Sequence, residues 1–442
     1  MSGPLSSAPP MNSPEPVHKS LLENGLKVVT IELPHLHSGM VAAYVRAGSR
    51  HETPGTNGVS HFLEHLFFRG SEGHPEGRAM NALVEDSGGS LNGVTTRDHG
   101  YYYTPIHPTR LETAVSVLGD MLRRPLFKDI ELEREVILEE ILDEVDEDGR
   151  DIDVDNLSKR ALYRNHPLGF KIAGTRETVA ALTEADLRAH HLRCYGARNL
   201  VLAVAGPLRH QDVVELARRH FGEFPEGQPL SDDSPAEWKA GPELLAVNHR
   251  ESQTDVRLSF PAPAEHEADF APLIVLRRVL DDGLASRLQT NVVERKGLAY
   301  AVHAGLDTFS DCSIFEMEAS CAPKKAPLVA AEFLSLLAEL CDVPVPADEL
   351  ERARLRHRMG LEFSMDSQGE MLGWFGGSEL FRPAESFSER IARVDAVTAE
   401  DVQRVARSTF RKSAMLACAV GPMAGAEKKL AAAAAEAAGL PA

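Results

Sequence analysis

The sequence predicts an α+β chain built from two homologous α/β halves, and three observations carry that prediction. Residues 179–207, VAALTEADLRAHHLRCYGARNLVLAVAGP, recur at 394–422 as VDAVTAEDVQRVARSTFRKSAMLACAVGP, at a constant offset of 215 and without a gap. Strand and helical patterns mix inside one half at hairpin-length gaps, which favours an α+β layer over a parallel doubly wound sheet. A polar stretch with Pro and Gly, EFPEGQPLSDDSPAEWKAGPE at 223–243, separates the copies and reads as a linker.

The elements follow in order. Residues 1–17 are rich in Pro and Ser and read as a disordered tail. The first half, 18–225, opens with strand patterns at Lys27–Leu33 and Met40–Val45, and NGVSHFLEHLFFRG then has helical spacing. Gly88 and Gly89 free the backbone before SLNGVTT, an expected strand, and Tyr101–Tyr103 gives another. Residues 132–145, LEREVILEEILDEV, read as a helix whose apolar stripe is Leu132, Val136, Ile141, Leu142 and Val145. Thr183 N-caps a helix and Asp186 closes a capping box, a pairing repeated by Thr398 and Asp401. Each copy then gives a Val/Leu/Ala strand that stops at Gly-Pro. A linker at 226–243 leads to the second half, 244–424, and 425–442 is an Ala-rich tail, either a marginal helix or a frayed end.

Composition narrows the function. Lys and Arg number 47 against 66 Asp and Glu, and this net charge of −19 disfavours a nucleic-acid or anionic-membrane binder. No apolar run approaches the ~18 residues that span a bilayer, and the start lacks the apolar stretch of a signal peptide. Five scattered cysteines with no C-x-x-C pair argue against a disulfide framework or a Cys-based zinc site. A cytoplasmic location is the expectation.

Chemistry is concentrated in the first half. His61 and His65 are four residues apart, so they share one helical face and can share a metal. Glu64 lies beside them, free to accept a proton from water without being a ligand. Ser60 or Asn57 is placed to cap the helix start. A third ligand is available at 132–145, where Glu133 and Glu140 are two turns apart. A carboxylate aimed among apolar residues is costly unless paired or coordinated, which a cation beside Glu140 would remedy. Ten carboxylates fall between 139 and 155, so spacing alone leaves Glu133, Glu139 and Glu140 open against a plain solvated face. His99, His166, His190 and His191 have no ligand spacing and read as structural.

Taken together, His61-Phe62-Leu63-Glu64-His65, GGSLNGVTTRDHGYY at 88–102 and EREVILEEI at 133–141 resemble the pitrilysin-type (inverzincin) metallopeptidases, in the bacterial and mitochondrial-processing-peptidase-like branch. NHPLGFKIAGTRETVAALTEADL, GLAYAV and VTAEDVQRVA are similar to it too, so the likeness runs from about residue 20 to 423. It implies two facing homologous domains that form half of a clamshell. It also implies one zinc ion per chain on His61, His65 and Glu140, with Glu64 as the base and Glu133 as a supporting carboxylate. Asn92 would contact an extended peptide, although this chain has Gly93 and Gly100 where the family usually has Ala and Thr.

The second half has IVLRRVL at 274–280 where the metal helix should recur, with neither His nor Glu, so no second metal site is expected. The resemblance implies an Arg seven residues before a Tyr, both reaching the substrate carbonyl. Here Tyr300 is kept, Val293 holds the Arg position, and Arg295 is only five residues away. The expected protein is therefore the zinc-bearing subunit of a heterodimeric endopeptidase that cuts peptides or leader segments in a closed chamber. Its partner would be a zinc-free relative that brings the Arg–Tyr pair. A self-sufficient homodimer using Tyr300 is the alternative, and a non-catalytic scaffold of core-subunit type is a reading of a different class.

Overall fold

The computed structural model describes residues 16–232, 241, 243–423, 425–437 and 439–441. Most of the expected N-terminal tail and the middle of the expected linker lie outside the described residues. Two mixed sheets form the frame. The first takes strands β1 (Val17–Leu21), β2 (Lys27–Glu32), β3 (Gly39–Val45), β4 (Asn92–Thr95), β5 (Gly100–Ile106) and β6 (Leu200–Gly206) in the order β1-β2-β6-β3-β5-β4. The second takes β7 (Glu243–Asn248), β8 (Thr254–Ala262), β9 (Ala299–Thr308), β10 (Ser313–Cys321) and β11 (Leu416–Gly421) in the order β7-β11-β8-β10-β9. Apart from β1 the two orders are the same. In each sheet one pair is parallel, β2 with β6 and β7 with β11, and the rest are antiparallel. The α+β duplication read from the sequence is the fold of the chain.

Alternation along the central strands explains the layers. Val28 and Val41 point to one face, where the helices Val59–Phe67, Leu111–Arg123 and Glu184–Cys194 cover them with Phe62, Leu118 and Leu187. Val29, Ile31, Ala42 and Tyr44 point to the other face. That face is covered from the second half, by Met371, Leu372 and Phe375 of the helix Gln368–Phe375 and by Phe387. The second sheet is treated in kind. Leu157 and Leu162 of the helix Val154–Tyr163, which belongs to the first half, pack on Leu416, Cys418 and Val420. Each half thus lends one helix to the outer face of its twin, and β6 and β11 are buried on both faces.

Charge closes the same seam. Lys159, on the lent helix, has 0% of its surface exposed and sits 2.9 Å from Glu316, 2.8 Å from Asp307 and 3.5 Å from Asp155. Arg257 bonds Asp155 at 2.7 Å, and Asp155 also takes Arg97 at 2.7 Å. Arg97 stands in the β4–β5 turn, so the network reaches from the second sheet to the hairpin beside the candidate site.

One expectation, the apolar stripe of 132–145, is corrected, and one open alternative is decided. Of the two readings of 425–442, a marginal helix or a frayed end, the helix forms as Glu427–Glu436, with Leu430 and Ala434 buried in the second core. It matches the helix His210–Phe221 at the repeat offset of 215, so an Ala-rich sequence of marginal propensity is stabilised by packing. In the expected linker, Asp232 is held by Arg46 at 2.5 Å and His51 at 3.2 Å. In the helix Ile130–Leu142 the inward residues are Glu133, Ile137 and Ile141, whereas Leu132, Val136 and Leu142 are exposed. The capping boxes at Thr183 and Thr398 form as read.

Candidate metal centre and substrate groove

The helix Val59–Phe67 buries Phe62, Leu63, Leu66 and Phe67 against the first core, and this turns His61, Glu64 and His65 toward the open side. Its first turn is capped neither by Ser60 nor by Asn57. Gly58 takes a left-handed conformation (φ 95°) at the N-cap. The buried carboxylate of Glu52 accepts the backbone N–H of Gly58 at 2.8 Å and of Ser60 at 2.9 Å. Asn57 donates its amide to Glu52, and the Ser60 hydroxyl pairs with Nε2 of the buried His190 at 2.9 Å. Glu52 was not legible in sequence because it acts from outside the helix.

His61, His65 and Glu140 each offer one ligand atom, all within 4.8 Å of one another. Oε2 of Glu140 is 3.7 Å from Nε2 of His61 and 3.6 Å from Nε2 of His65. A tetrahedral zinc ion at about 2.0–2.2 Å from each ligand needs ligand atoms roughly 3.3–3.6 Å apart, so the donor set fits such an ion and leaves a fourth position open. Burial and the neighbouring His65 push the His61 pKa down to about 4, which keeps the ring neutral for ligation.

Orientation of His65 comes from Glu133. Its Oε2 is 2.9 Å from Nδ1 of His65, which leaves Nε2 free to point at Glu140. Its Oε1 takes the guanidinium of Arg69. The buried carboxylate of this helix is therefore Glu133, made tolerable by two partners, while the Glu140 side chain is 46% exposed. Arg69 was missed in the sequence, although its place one turn after His65 was a usable signal.

Glu64 lies across from Thr95, the last residue of β4, whose hydroxyl donates to its Oε2. Burial raises the Glu64 pKa above its ordinary value, opposed by that hydroxyl and by His65 and supported by Glu140. A Cβ at Gly93 would meet Cγ of Glu64 and Cε2 of Phe68, each at 3.0 Å. An Ala here would press on both side chains.

A polar groove of about 1170 Å³ joins these groups, with Glu64, His65, Arg69, Asn92, Tyr103 and Glu133 in its lining. Asn92 opens β4, the edge strand of its sheet, and its amide donates to the Ser90 carbonyl at 2.8 Å. Tyr300 is not among the groove residues. It lies on β9, the far edge strand of the second sheet, and is 92% exposed. Val293 packs against the second core within the π-helical turn Gln289–Arg295, and exposed Arg295 bonds Asn291 at 3.3 Å.

A duplicated α/β chain with a His-His-Glu cluster whose histidine helix also carries Glu64 defines a class, and comparison with known proteins specifies it. The model described as "Insulinase (Peptidase family M16)" matches residues 27–176, and "Peptidase M16 inactive domain" matches 181–356. An "uncharacterized zinc protease" of Mycobacterium leprae is 32% identical over 90% of this chain and 90% of its own length. One of Bacillus subtilis is 29% identical over 89% and 96%. The chain belongs to peptidase family M16, the insulinase family. A protease from Helicobacter pylori shares the fold at TM-score 0.85 and 22% identity, covering 92% of this chain and all of its own. So does a peptidase M16 inactive domain from Pseudomonas fluorescens, at 0.82 and 21%, covering 92% and 98%. Among the described residues no helix is long and apolar enough to cross a membrane.

Proposed function

We propose that the chain is a zinc-dependent endopeptidase that cuts extended peptides or leader segments. The observation that carries this reading is the convergence of His61, His65 and Glu140 on one point with Glu64 beside it. His61, His65 and Glu140 would hold the ion, which when bound supplies Lewis acidity to the scissile carbonyl and to water. Glu64 takes a proton from the attacking water on its carboxylate and returns it to the departing amine. Its raised pKa suits both halves of that exchange. Glu133 fixes the tautomer and orientation of His65. The free edge of β4 offers backbone groups to an extended peptide, with Asn92 at its start.

The second subunit belongs to the same proposal. A 92% exposed Tyr300, absent from the groove lining and without an Arg at 293, suits a chamber completed by another chain. That chain is a zinc-free relative carrying the Arg–Tyr pair, or a second copy of this one.

The test is cleavage of a quenched, unstructured peptide by the purified chain, with and without chelator, beside Glu64→Gln. Chelator-sensitive cleavage that Glu64→Gln abolishes supports a self-sufficient, homodimeric peptidase. Cleavage that appears only after mixing with a zinc-free relative supports the heterodimer. A chain that binds zinc yet cuts nothing in either setting would be a scaffold.

A further inference from the structure

The second half has a cavity of its own beside the two helices that correspond to the metal-site pair, although the equivalents of the metal ligands do not line it. At the offset of 215, His61, His65 and Glu140 become Leu276, Leu280 and Leu355, and the first two are fully buried. The helices Phe270–Leu280 and Ala347–Ser364, counterparts of the metal-site pair, still pack together. Between them, with the loop 281–286, lies a cavity of about 330 Å³. The charged residues that line it are Arg278, Arg287, Arg352, Arg356, Asp282 and Glu349.

Four guanidinium groups and two carboxylates line the cavity, and two further carboxylates, Glu339 and Asp348, stand outside the lining at 3.6 Å from Arg287 and 3.8 Å from Arg352. Asp282 is shared between Arg278 at 2.7 Å and Arg356 at 2.9 Å, and Glu349 takes Arg287 at 2.8 Å. Arg352 is left with only the exposed Asp348, at 3.8 Å. The lining also holds unpaired donors. The Ser286 hydroxyl, on a residue only 6% exposed, has no hydrogen-bond partner among the described residues, and neither has Nε of Arg278, whereas Nη1 of Arg287 has Glu339 at 3.6 Å. Buried donors of this kind are costly unless a ligand or water meets them.

From this convergence of four guanidinium groups, one of them only loosely paired, on an unpartnered buried hydroxyl we propose that the cavity binds a phosphate-type oxyanion, free or carried on a small metabolite. Guanidinium groups pair with phosphate oxygens two bonds at a time, and the Ser286 hydroxyl supplies a further donor. The cavity is large enough for more than a bare phosphate, at the small end of metabolite sites.

The test is calorimetric titration of the full chain with inorganic phosphate and with glycerol 3-phosphate, at constant ionic strength set by chloride. Saturable binding near one per chain is expected. Arg352→Gln and Ser286→Ala should each weaken it about tenfold, with the ligand-free melting temperature and the bound zinc unchanged. Tighter binding of the organic phosphate assigns the site to a metabolite, and equal binding assigns it to free phosphate. Heat no larger than that of chloride, or variants that bind as the parent does, would overturn the proposal.

Discussion

Nδ1 of His65 and Oε2 of Glu133 stand 2.9 Å apart, and this contact decides which nitrogen of His65 faces Glu140. The carboxylate is held in turn by Arg69. A chain of three residues from two helices thereby sets the direction of one ligand atom, and its energetic weight should appear in metal affinity rather than in the fold.

Replacing Glu133 by Gln is therefore expected to weaken zinc binding about 10–100-fold while leaving secondary structure intact. Glu140→Gln removes a ligand and should cost more. Competition with a chromophoric chelator measures both, and equal affinity in Glu133→Gln and the parent would refute the orienting role.

The acid limb of the pH–activity profile should lie above the ordinary carboxylate range, because burial favours the neutral form of Glu64. The Thr95 hydroxyl stabilises the ionised form, so Thr95→Val should raise the Glu64 pKa and move that limb to higher pH. A profile of kcat/KM from pH 4 to 9 decides it, and a limb that moves down or stays fixed would sink the assignment. Glu64→Gln should lower kcat by about 10²–10⁴-fold with zinc still bound.

Gly93→Ala places a Cβ 3.0 Å from both Glu64 and Phe68. The expected result is a fall in kcat with little change in melting temperature, as the Glu64 side chain is displaced. Phe68→Leu in the same chain should restore much of the loss by freeing one of the two clashes. A double variant no better than Gly93→Ala would show that the space at Phe68 is irrelevant.

Lys159→Met takes the shared cation from half-exposed Asp307 and leaves Glu316 with Arg257 at 3.5 Å and Ser259 at 3.3 Å, and about 1–3 kcal/mol of stability should be lost. Acid should act on the same seam. Burial opposes ionisation of Asp155, but Lys159, Arg97 and Arg257 outweigh it and hold its pKa below the usual carboxylate value. Asp232 is held low likewise, against burial, by His51, Ser310, Arg50 and Arg46. A depressed carboxylate stabilises the fold above its ordinary pKa near 3.8 and loses that contribution as the pH falls further. Urea midpoints should accordingly drop below about pH 4, and more gently in Lys159→Met. A parent midpoint flat to pH 3 would contradict this.

Much of this protein is written in its periodicities. The repeat at 215 residues determined two matching sheets, and even the C-terminal helix follows from it, although an Ala-rich stretch alone suggests a frayed end. Four-residue spacing determined that His61 and His65 share a face, because that relationship lies within one helix. Only the tertiary structure decided between the carboxylates of Ile130–Leu142. Spacing places Glu133 and Glu140 on one side but is silent on which meets Arg69 and which meets the histidine Nε2 atoms, since that depends on how a second helix crosses the first. The apolar stripe failed for the same reason. Leu132, Val136 and Leu142 satisfy a pattern, yet the packing partner covers Glu133, Ile137 and Ile141. The exchange of helices between the halves, and the position of Tyr300 on an edge strand apart from the groove, are contacts between distant segments that no local pattern encodes.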